Sequence, residues 1–431
     1  MKTITKEDLI MFMAIIVTTL IQWIFNWNVS LYIVCSVSIC IISIFTYKFN
    51  IMHPQVWFLP IFVAYQIGYP VIKLFGVDIF EPQIINENFV RISWLSIAIL
   101  AILLLNIRPE KYDIEKITRK LNKQAIYIIY IVIIAICLLG YMYIVAKGYT
   151  NKSSIANSGS ILVTLSSMCS TILPIVSTFL LLNSTTRDSE KKKIIITSIA
   201  VMIIGMGCTG ERDYILRTAV MFLLYYYVYY KVSTKKIMAL ILGFLIVITF
   251  SSSLKMFMVK DISENTVGTE NNNIIVKFFN SDFAAGGYNL NFLLNHSEAW
   301  EYKYGDTLIY DVLSPIVDFF PEISKKGASY WYKNTFWGNR TTGLGFSIVA
   351  EGYINFGIFG VVIWVVILAF FIRFMYKRSN KSIYSFIQYI WIYPTYAYMC
   401  RADLANVISP FFKYLILMCA IVYIVSYKTR R

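Results

Sequence analysis

Histidine is almost missing from this 431-residue chain. His53 and His296 are the only two, which excludes a histidine-rich metal centre while leaving a carboxylate-based one open. Charge is scarce: 15% of residues are charged against 58% hydrophobic. The mean hydropathy of +0.63 is more than the core of a soluble protein of this size has room to bury. Cysteine is confined to apolar surroundings. All seven (Cys35, Cys40, Cys137, Cys169, Cys208, Cys400 and Cys419) lie within or at the edge of apolar runs, so neither a disulfide framework nor a zinc site is indicated. Acidic residues are the minority charge, 24 against 39 Lys and Arg, for a net charge of +15. Nucleic-acid binding is a poor explanation of that excess, because the basic residues fall in short clusters between apolar runs.

What the chain has in abundance is apolar runs of the roughly 17–25 residues that a spanning helix requires. They lie at Leu9 to Trp27, Leu31 to Tyr47, Val56 to Phe75, Ile92 to Ile107, Ile126 to Ala146, Ile161 to Leu182, Ile194 to Cys208, Tyr214 to Tyr230, Ile237 to Ser253, Phe346 to Phe371, Tyr384 to Cys400 and Leu404 to Val425. The expected fold class is therefore an all-α polytopic membrane protein with about twelve transmembrane helices. The first run is too long for the apolar core of a signal peptide and no small-residue cleavage site follows it, so it is expected to be retained.

Orientation follows from the joints between spans, since Lys and Arg collect on the cytoplasmic side of short loops. Every second joint is basic: Lys48; Arg108 to Lys123; Arg187 to Lys193; Lys231 to Lys236; Arg373 to Lys381; and Lys428 to Arg431. The alternate joints are poor in Lys and Arg. Both termini are thus expected in the cytoplasm, and the same parity puts residues 254–342 outside. That stretch divides the chain into N-terminal helices (1–253, about nine), one large extracytoplasmic loop (254–342) and C-terminal helices (343–431, about three). The loop carries a dense aromatic series, Trp300, Tyr302, Tyr304, Tyr310, Tyr330, Trp331, Tyr332, Phe336 and Trp337, which argues against disorder. A long ordered loop of this kind is usually functional. No sequence repeat marks an inverted-repeat transporter.

Charges near the outer face that the loop rule does not explain need a reason of their own, because desolvation costs several kcal/mol. Arg212, Arg217, Arg340 and Arg401 are such charges. Guanidinium groups bind phosphate oxygens through a planar fork, so four at one face would suit a diphosphate. Each also has a plain reading as an interfacial anchor paired with Glu211, Asp213 or Asp403. The loop aromatics have a plain reading as interface-belt residues. After the loop comes Thr342-Gly343-Leu344-Gly345-Phe346-Ser347-Ile348-Val349-Ala350-Glu351-Gly352-Tyr353-Ile354-Asn355-Phe356-Gly357-Ile358-Phe359-Gly360. Its glycines allow close helix approach, and Glu351 is an acid carried into an apolar run.

A long outer loop followed by this Gly-rich entry, with its acid, Tyr353 and Asn355-Phe356-Gly357, resembles the O-antigen and capsular repeat-unit polymerases of the Wzy type. The turns Gly210-Glu211-Arg212-Asp213 and Arg401-Ala402-Asp403 are similar to turns of that family. The resemblance spans the topology of the whole chain but residues only in these patches. One departure separates the chain from the related O-antigen ligases: they carry an important histidine in their periplasmic loop, and His296 has no such context.

The resemblance implies a GT-C-like membrane glycosyltransferase of the bacterial cytoplasmic membrane, acting on polyprenyl-diphosphate-linked oligosaccharides among membrane lipids. A flippase and a chain-length regulator are the implied partners, and no cofactor or metal is expected. A hydroxyl of one repeat would attack the anomeric carbon of the growing chain and expel polyprenyl diphosphate. Arg212, Arg340 and Arg401, with Arg217 in second rank, would hold the diphosphate. Trp331, Tyr332, Trp337 and Tyr353 would meet the sugars. The base is open among Glu351, Asp403 and Asp213 and the loop acids Asp282, Asp306 and Asp311. The alternatives are a ligase-like transferase and a repeat-unit flippase. Arg212→Ala or Arg340→Ala is expected to abolish long-chain glycan while single lipid-linked repeats are still exported; gel analysis of glycan chain length would expose wild-type lengths if the assignment fails.

Overall fold

The computed structural model describes residues 5–79, 81–107, 111–149, 155, 158–211, 213–233, 236, 273–279, 282–319, 327–338 and 345–427. Its principal helices, in chain order, are α1 (Lys6–Ile24), α2 (Val29–Thr46), α3 (Pro54–Leu74), α4 (Glu87–Leu103), α5 (Lys123–Ala146), α6 (Ile161–Leu181), α7 (Asp188–Thr209) and α8 (Asp213–Tyr229). They continue with α9 (Ile274–Phe279), α10 (Asp282–Asn295), α11 (Asp306–Leu313), α12 (Ala328–Phe336), α13 (Ile348–Arg378), α14 (Ile383–Met399) and α15 (Ala405–Ser426), the last passing through a π-helical turn at Phe411–Ile416. No strand occurs among the described residues.

Eight of these helices, α1, α2, α3, α5, α6, α7, α13 and α15, are long and apolar enough to cross a membrane. The protein is a multi-pass membrane protein. Three further expected spans are helices of 17 residues each, α4, α8 and α14, and the one expected at Ile237 to Ser253 lies outside the described residues. Polar caps start several helices where the sequence leaves an apolar run. Asn28 accepts the N–H groups of Ser30 and Leu31, His53 accepts that of Gln55 ahead of Pro54 at the first helical position, and Asn86 accepts that of Asn88.

The helices fall into two compact units. The first draws on Met1–Glu110, Glu264–Tyr376 and Tyr396–Ser409, and the second on Lys111–Ser263, Lys377–Thr395 and Pro410–Arg431. In the first unit α3 is central: 83% of its apolar window is buried, against 28% for α1 and 33% for α2. Glycine explains the close approach to its main partner, α10. A Cβ on Gly68 of α3 would stand 2.5 Å from the Phe283 carbonyl oxygen, and one on Gly287 of α10 would stand 3.2 Å from that of Gln66. Hence Asp282–Asn295, expected as part of a loop, is a helix with most of its surface buried. Asparagines on α10 stitch it to the 83–86 connection: Asn291 Oδ1 accepts from the Asn86 N–H at 2.8 Å, and Asn291 Nδ2 donates to the Ile84 carbonyl at 3.0 Å.

One end of this unit is closed by three polar side chains serving backbone groups at the end of α4. Asp8 accepts the Asn106 N–H at 2.9 Å, His53 Nε2 lies 2.9 Å from the Ile107 carbonyl, and Arg373 donates to the carbonyls of Leu103 and Leu105.

The second unit is a bundle of α5 to α8 with part of α14 and α15. Here too small residues bring backbones together. A Cβ on Gly140 of α5 would stand 2.2 Å from Ser166 Cβ of α6, and one on Gly205 of α7 would stand 2.4 Å from the Tyr141 hydroxyl. Hydroxyls bridge the same seams: Tyr141 to Ser170 at 2.6 Å, Tyr130 to Ser198 at 3.1 Å and Ser177 to Ser198 at 2.9 Å.

The feature that matters most for function is inside α13. Phe356 (φ −142°, ψ 27°) and Gly357 (φ 60°, ψ −141°) are not helical. A Cβ on Gly360 would lie 1.8 Å from the Gly352 carbonyl oxygen, and one on Gly352 would lie 2.7 Å from that of Gly360. In a continuous helix such residues are about 12 Å apart along the axis. The chain therefore doubles back at 356–357, so that a short arm, 348–355, lies against the start of a long one. Gly360→Ala is expected to destabilise the protein by about 1–3 kcal/mol, because a methyl group has no room against backbone that cannot move aside. Gly207→Ala, which meets open space, should leave the melting temperature unchanged in the same detergent.

Candidate active site

The break in α13 leaves the carbonyls at the end of the short arm without helical partners. The segment ahead of α11 supplies them: the Lys303 N–H donates to the Ile354 carbonyl at 2.8 Å and the Tyr304 N–H to that of Asn355 at 3.3 Å. The Asn355 side chain completes the joint. Its Oδ1 accepts the Gly305 N–H at 2.9 Å, and its Nδ2 donates to Thr307 Oγ1 at 2.7 Å and to the Glu351 carbonyl at 2.8 Å.

Thr307 and Asp311 are one helical turn apart on α11, as are Asn355 and Glu351 on the short arm, so docking the two helices sets the pairs face to face. Thr307 meets Asn355, and the Asp311 and Glu351 carboxyls come within hydrogen-bonding reach of each other. Both acids are fully buried. Their outer oxygens engage the first turn of α15: the Leu404 N–H donates to Glu351 Oε2 at 2.9 Å and the Ala405 N–H to Asp311 Oδ1 at 3.0 Å. Glu351 Oε1 and Asp311 Oδ2 accept no hydrogen bond from any N–H or hydroxyl group. The two carboxyls hydrogen-bond each other in this buried site, which requires a proton on one of them. Burial pushes the Asp311 carboxyl up to about 7 and the charge of Asp403 adds to this, while hydrogen bonds from Glu351 and the Ala405 N–H act the other way.

Asp403 is the third acid of the cluster, 2% exposed. Its Oδ2 accepts from the Ser329 hydroxyl at 2.9 Å and the Ser329 N–H at 3.3 Å, and its Oδ1 accepts from Asn406 Nδ2. The preceding turn is tied to the foot of α13, with the Phe346 N–H on the Arg401 carbonyl at 2.7 Å. Gly345 is required there: its φ is +67°, and a Cβ would stand 2.9 Å from that carbonyl. Among the described residues no group of three or more His, Cys, Asp or Glu is arranged to hold a metal ion.

The aromatic side chains of this segment divide into two groups. Trp300, Tyr302, Trp331 and Tyr353 form a partly open cluster, with Trp300 6.0 Å from Trp331, 6.1 Å from Tyr353 and 5.5 Å from Tyr302 between ring centres. The Lys303 ammonium lies 4.7 Å from the centre of the Trp331 ring. Tyr332 and Trp337, by contrast, are buried with Phe292 and Phe346 as the core of the segment itself, against half-buried Phe336. His296, half-buried, borders that core, stacked on Phe292 at 4.1 Å with Nδ1 2.9 Å from the Phe292 carbonyl.

The residues expected from the sequence are therefore distributed unevenly. Glu351 and Asp403 meet, joined by Asp311, while Asp306 is exposed at the start of α11 and the side chain of Asp282 is not described. Asp213 and Arg217 lie in the second unit as an ion pair at 2.6 Å, one turn apart on α8. Arg401, half-buried, adjoins the acid cluster in sequence, and Arg212 and Arg340 lie outside the described residues. The sequence did not separate Asp311 from the other loop acids. The signal that marks it is the four-residue spacing from Thr307, matched by the Glu351–Asn355 spacing.

The chain matches the family described as O-antigen polysaccharide polymerase Wzy over residues 8–431, essentially its whole length, and belongs to it. No curated protein and no solved structure matches the chain.

Asn355→Ala is expected to leave the Gly305 N–H and Thr307 hydroxyl without their partner, at a cost of about 1–3 kcal/mol. Hydrogen exchange should then speed up over residues 303–313 and not over α5 to α8; unchanged protection of 303–313 would show that Asn355 does not hold the joint.

Proposed function

Taking that membership as the premise, we propose that the protein joins oligosaccharide repeat units carried on a polyprenyl diphosphate into O-antigen or capsular polysaccharide, by glycosyl transfer at the outer face of the cytoplasmic membrane. The observation that carries the reading is the meeting of three buried acids where an aromatic-faced segment docks on a broken helix. Glycosyl transfer asks for such a combination. A sugar hydroxyl must lose a proton to a base as its oxygen bonds to the anomeric carbon, a step in which base catalysis is worth roughly 10²- to 10⁴-fold. The bond from that carbon to the diphosphate breaks, and its electron pair leaves with the diphosphate. Cations fixed beside the departing oxygen stabilise the transition state more than the ground state.

In this reading the partly open faces of Trp300, Tyr302, Trp331 and Tyr353 stack on sugar rings. Tyr332 and Trp337 shape that surface from beneath. Arg401 and Arg340 hold the diphosphate. The base comes from the acid cluster, and the scaffold is of the GT-C kind. A flippase that delivers repeats and a chain-length regulator are the expected partners.

The test is reconstitution. Purified protein in liposomes, given lipid-linked repeat units, should yield a ladder of longer glycans and release polyprenyl diphosphate stoichiometrically with each bond made. In cells lacking the protein, single repeats should collect on the outer leaflet. Their accumulation on the inner leaflet, with no ladder in vitro, would mean that the protein moves repeats and does not join them.

A further inference from the structure

Three acids in one cluster need not share one role, and their hydrogen bonds sort them. Asp311 and Glu351 are enclosed on every side, each holding one backbone N–H of the first turn of α15. Asp403 immediately precedes that turn. Its side-chain partners are Ser329 and Asn406, both half-exposed. Asp403 is thus hydrogen-bonded to side chains that reach solvent, whereas Asp311 and Glu351 are fully buried and bond to each other and to backbone N–H groups.

We propose that Asp311 and Glu351 form a clamp holding one proton, which fixes the Leu404–Ala405 turn and so positions Asp403, and that Asp403 is the base that takes the proton of the attacking sugar hydroxyl. Asp403 is then the catalytic residue, and Asp311 and Glu351 are positioning residues; the role of Asp403 rests on the glycosyl-transfer reading. In the step, the hydroxyl oxygen bonds to the anomeric carbon, its proton passes to the Asp403 carboxylate, and the diphosphate leaves with the electron pair of the broken bond. The proton afterwards goes to solvent past Ser329. The clamp proton does not move in the reaction. It keeps two carboxyls together that would otherwise repel.

Among the described residues, these groups act on the clamp. From the 401–406 turn come the Asp403 carboxyl and the N–H groups of Leu404 and Ala405; from α11 comes Asp311; from the short arm comes Glu351. Losing the clamp proton leaves three negative charges in a buried site, so the clamp opens as pH rises.

The closing experiment pairs activity with unfolding in detergent, which needs no glycan. Asp311→Asn keeps an acceptor for the Ala405 N–H and supplies a permanent donor to Glu351, so it mimics the protonated clamp at every pH. Because the Asp311 carboxyl is raised in the folded protein, the wild type loses stability as pH rises from about 4, the ordinary carboxylate range, through about 7. Asp311→Asn should lack that fall, and its polymerisation should lack the alkaline decline of the wild type. Asp403→Asn should lose polymerisation by about 10²-fold or more while keeping the fall of melting with rising pH, its midpoint moved to lower pH because the Asp403 charge no longer raises the Asp311 carboxyl. A wild-type melting profile in Asp311→Asn would overturn the shared proton. Polymerisation lost as fully in Asp311→Asn as in Asp403→Asn, or retained in Asp403→Asn, would overturn the division of roles. If the melting profiles follow the expectation and the wild type makes no ladder, the clamp stands and the glycosyl-transfer reading falls.

Discussion

Because Gly352 and Gly360 meet backbone to backbone, the chain cannot pass through Phe356 and Gly357 as helix, and the acid cluster inherits its geometry from that break. A broken helix exposes carbonyls that must find donors, since an unpaired buried backbone group costs about as much as a lost hydrogen bond. Lys303 and Tyr304 provide them, and the Gly305 N–H adds a bond to the Asn355 side chain, which brings α11 alongside the short arm at a fixed register. At that register Asp311 falls opposite Glu351. The acids are therefore brought to one register by a backbone requirement, and a hydrogen bond between them, not an attraction of charge, joins the pair.

The first turn of α15 resolves the resulting strain on charge. Its N–H groups carry the positive end of the helix dipole and have no partner within the helix. Presenting two of them, at Leu404 and Ala405, to two carboxyls satisfies donors and acceptors at once. The remaining pair of oxygens is left to a proton. Such sites, where burial and neighbouring charge displace a carboxyl from its ordinary range, are where acid–base chemistry concentrates, although structural networks displace them too. The hydrogen bond from half-exposed Ser329 to Asp403 is the feature that turns the network toward the surface.

Much of the scaffold was readable from composition alone. Apolar runs of spanning length appear as helices wherever the chain is described, because a helix satisfies its own backbone in a medium that offers no water. Glu351 and Asp403 were also readable as candidates, since a carboxylate in or beside an apolar run demands a partner. The helix at Asp282–Asn295 was not. Its Asp-Phe-Ala-Ala-Gly-Gly opening and its asparagines look like loop chemistry, and only the groove beside Gly68 and the Asn86 connection make that composition a buried helix. The aromatic series was legible as a series, but not its division. Nothing local tells Trp331 from Tyr332, whose rings point from one helix to opposite surroundings.

The sequence by itself determined the medium, the long apolar helices and the family to which the chain belongs, because each depends on residue content accumulated over tens of positions. Only the tertiary structure decided which acids meet and which rings stay open. Asp311 and Glu351 are separated by a long stretch of chain, and their contact depends on a reversal at Phe356–Gly357 that no hydropathy pattern records. The reason is physical: hydropathy reports the free energy of leaving water, whereas a cluster of like charges arises from steric and hydrogen-bonding demands that act on other atoms.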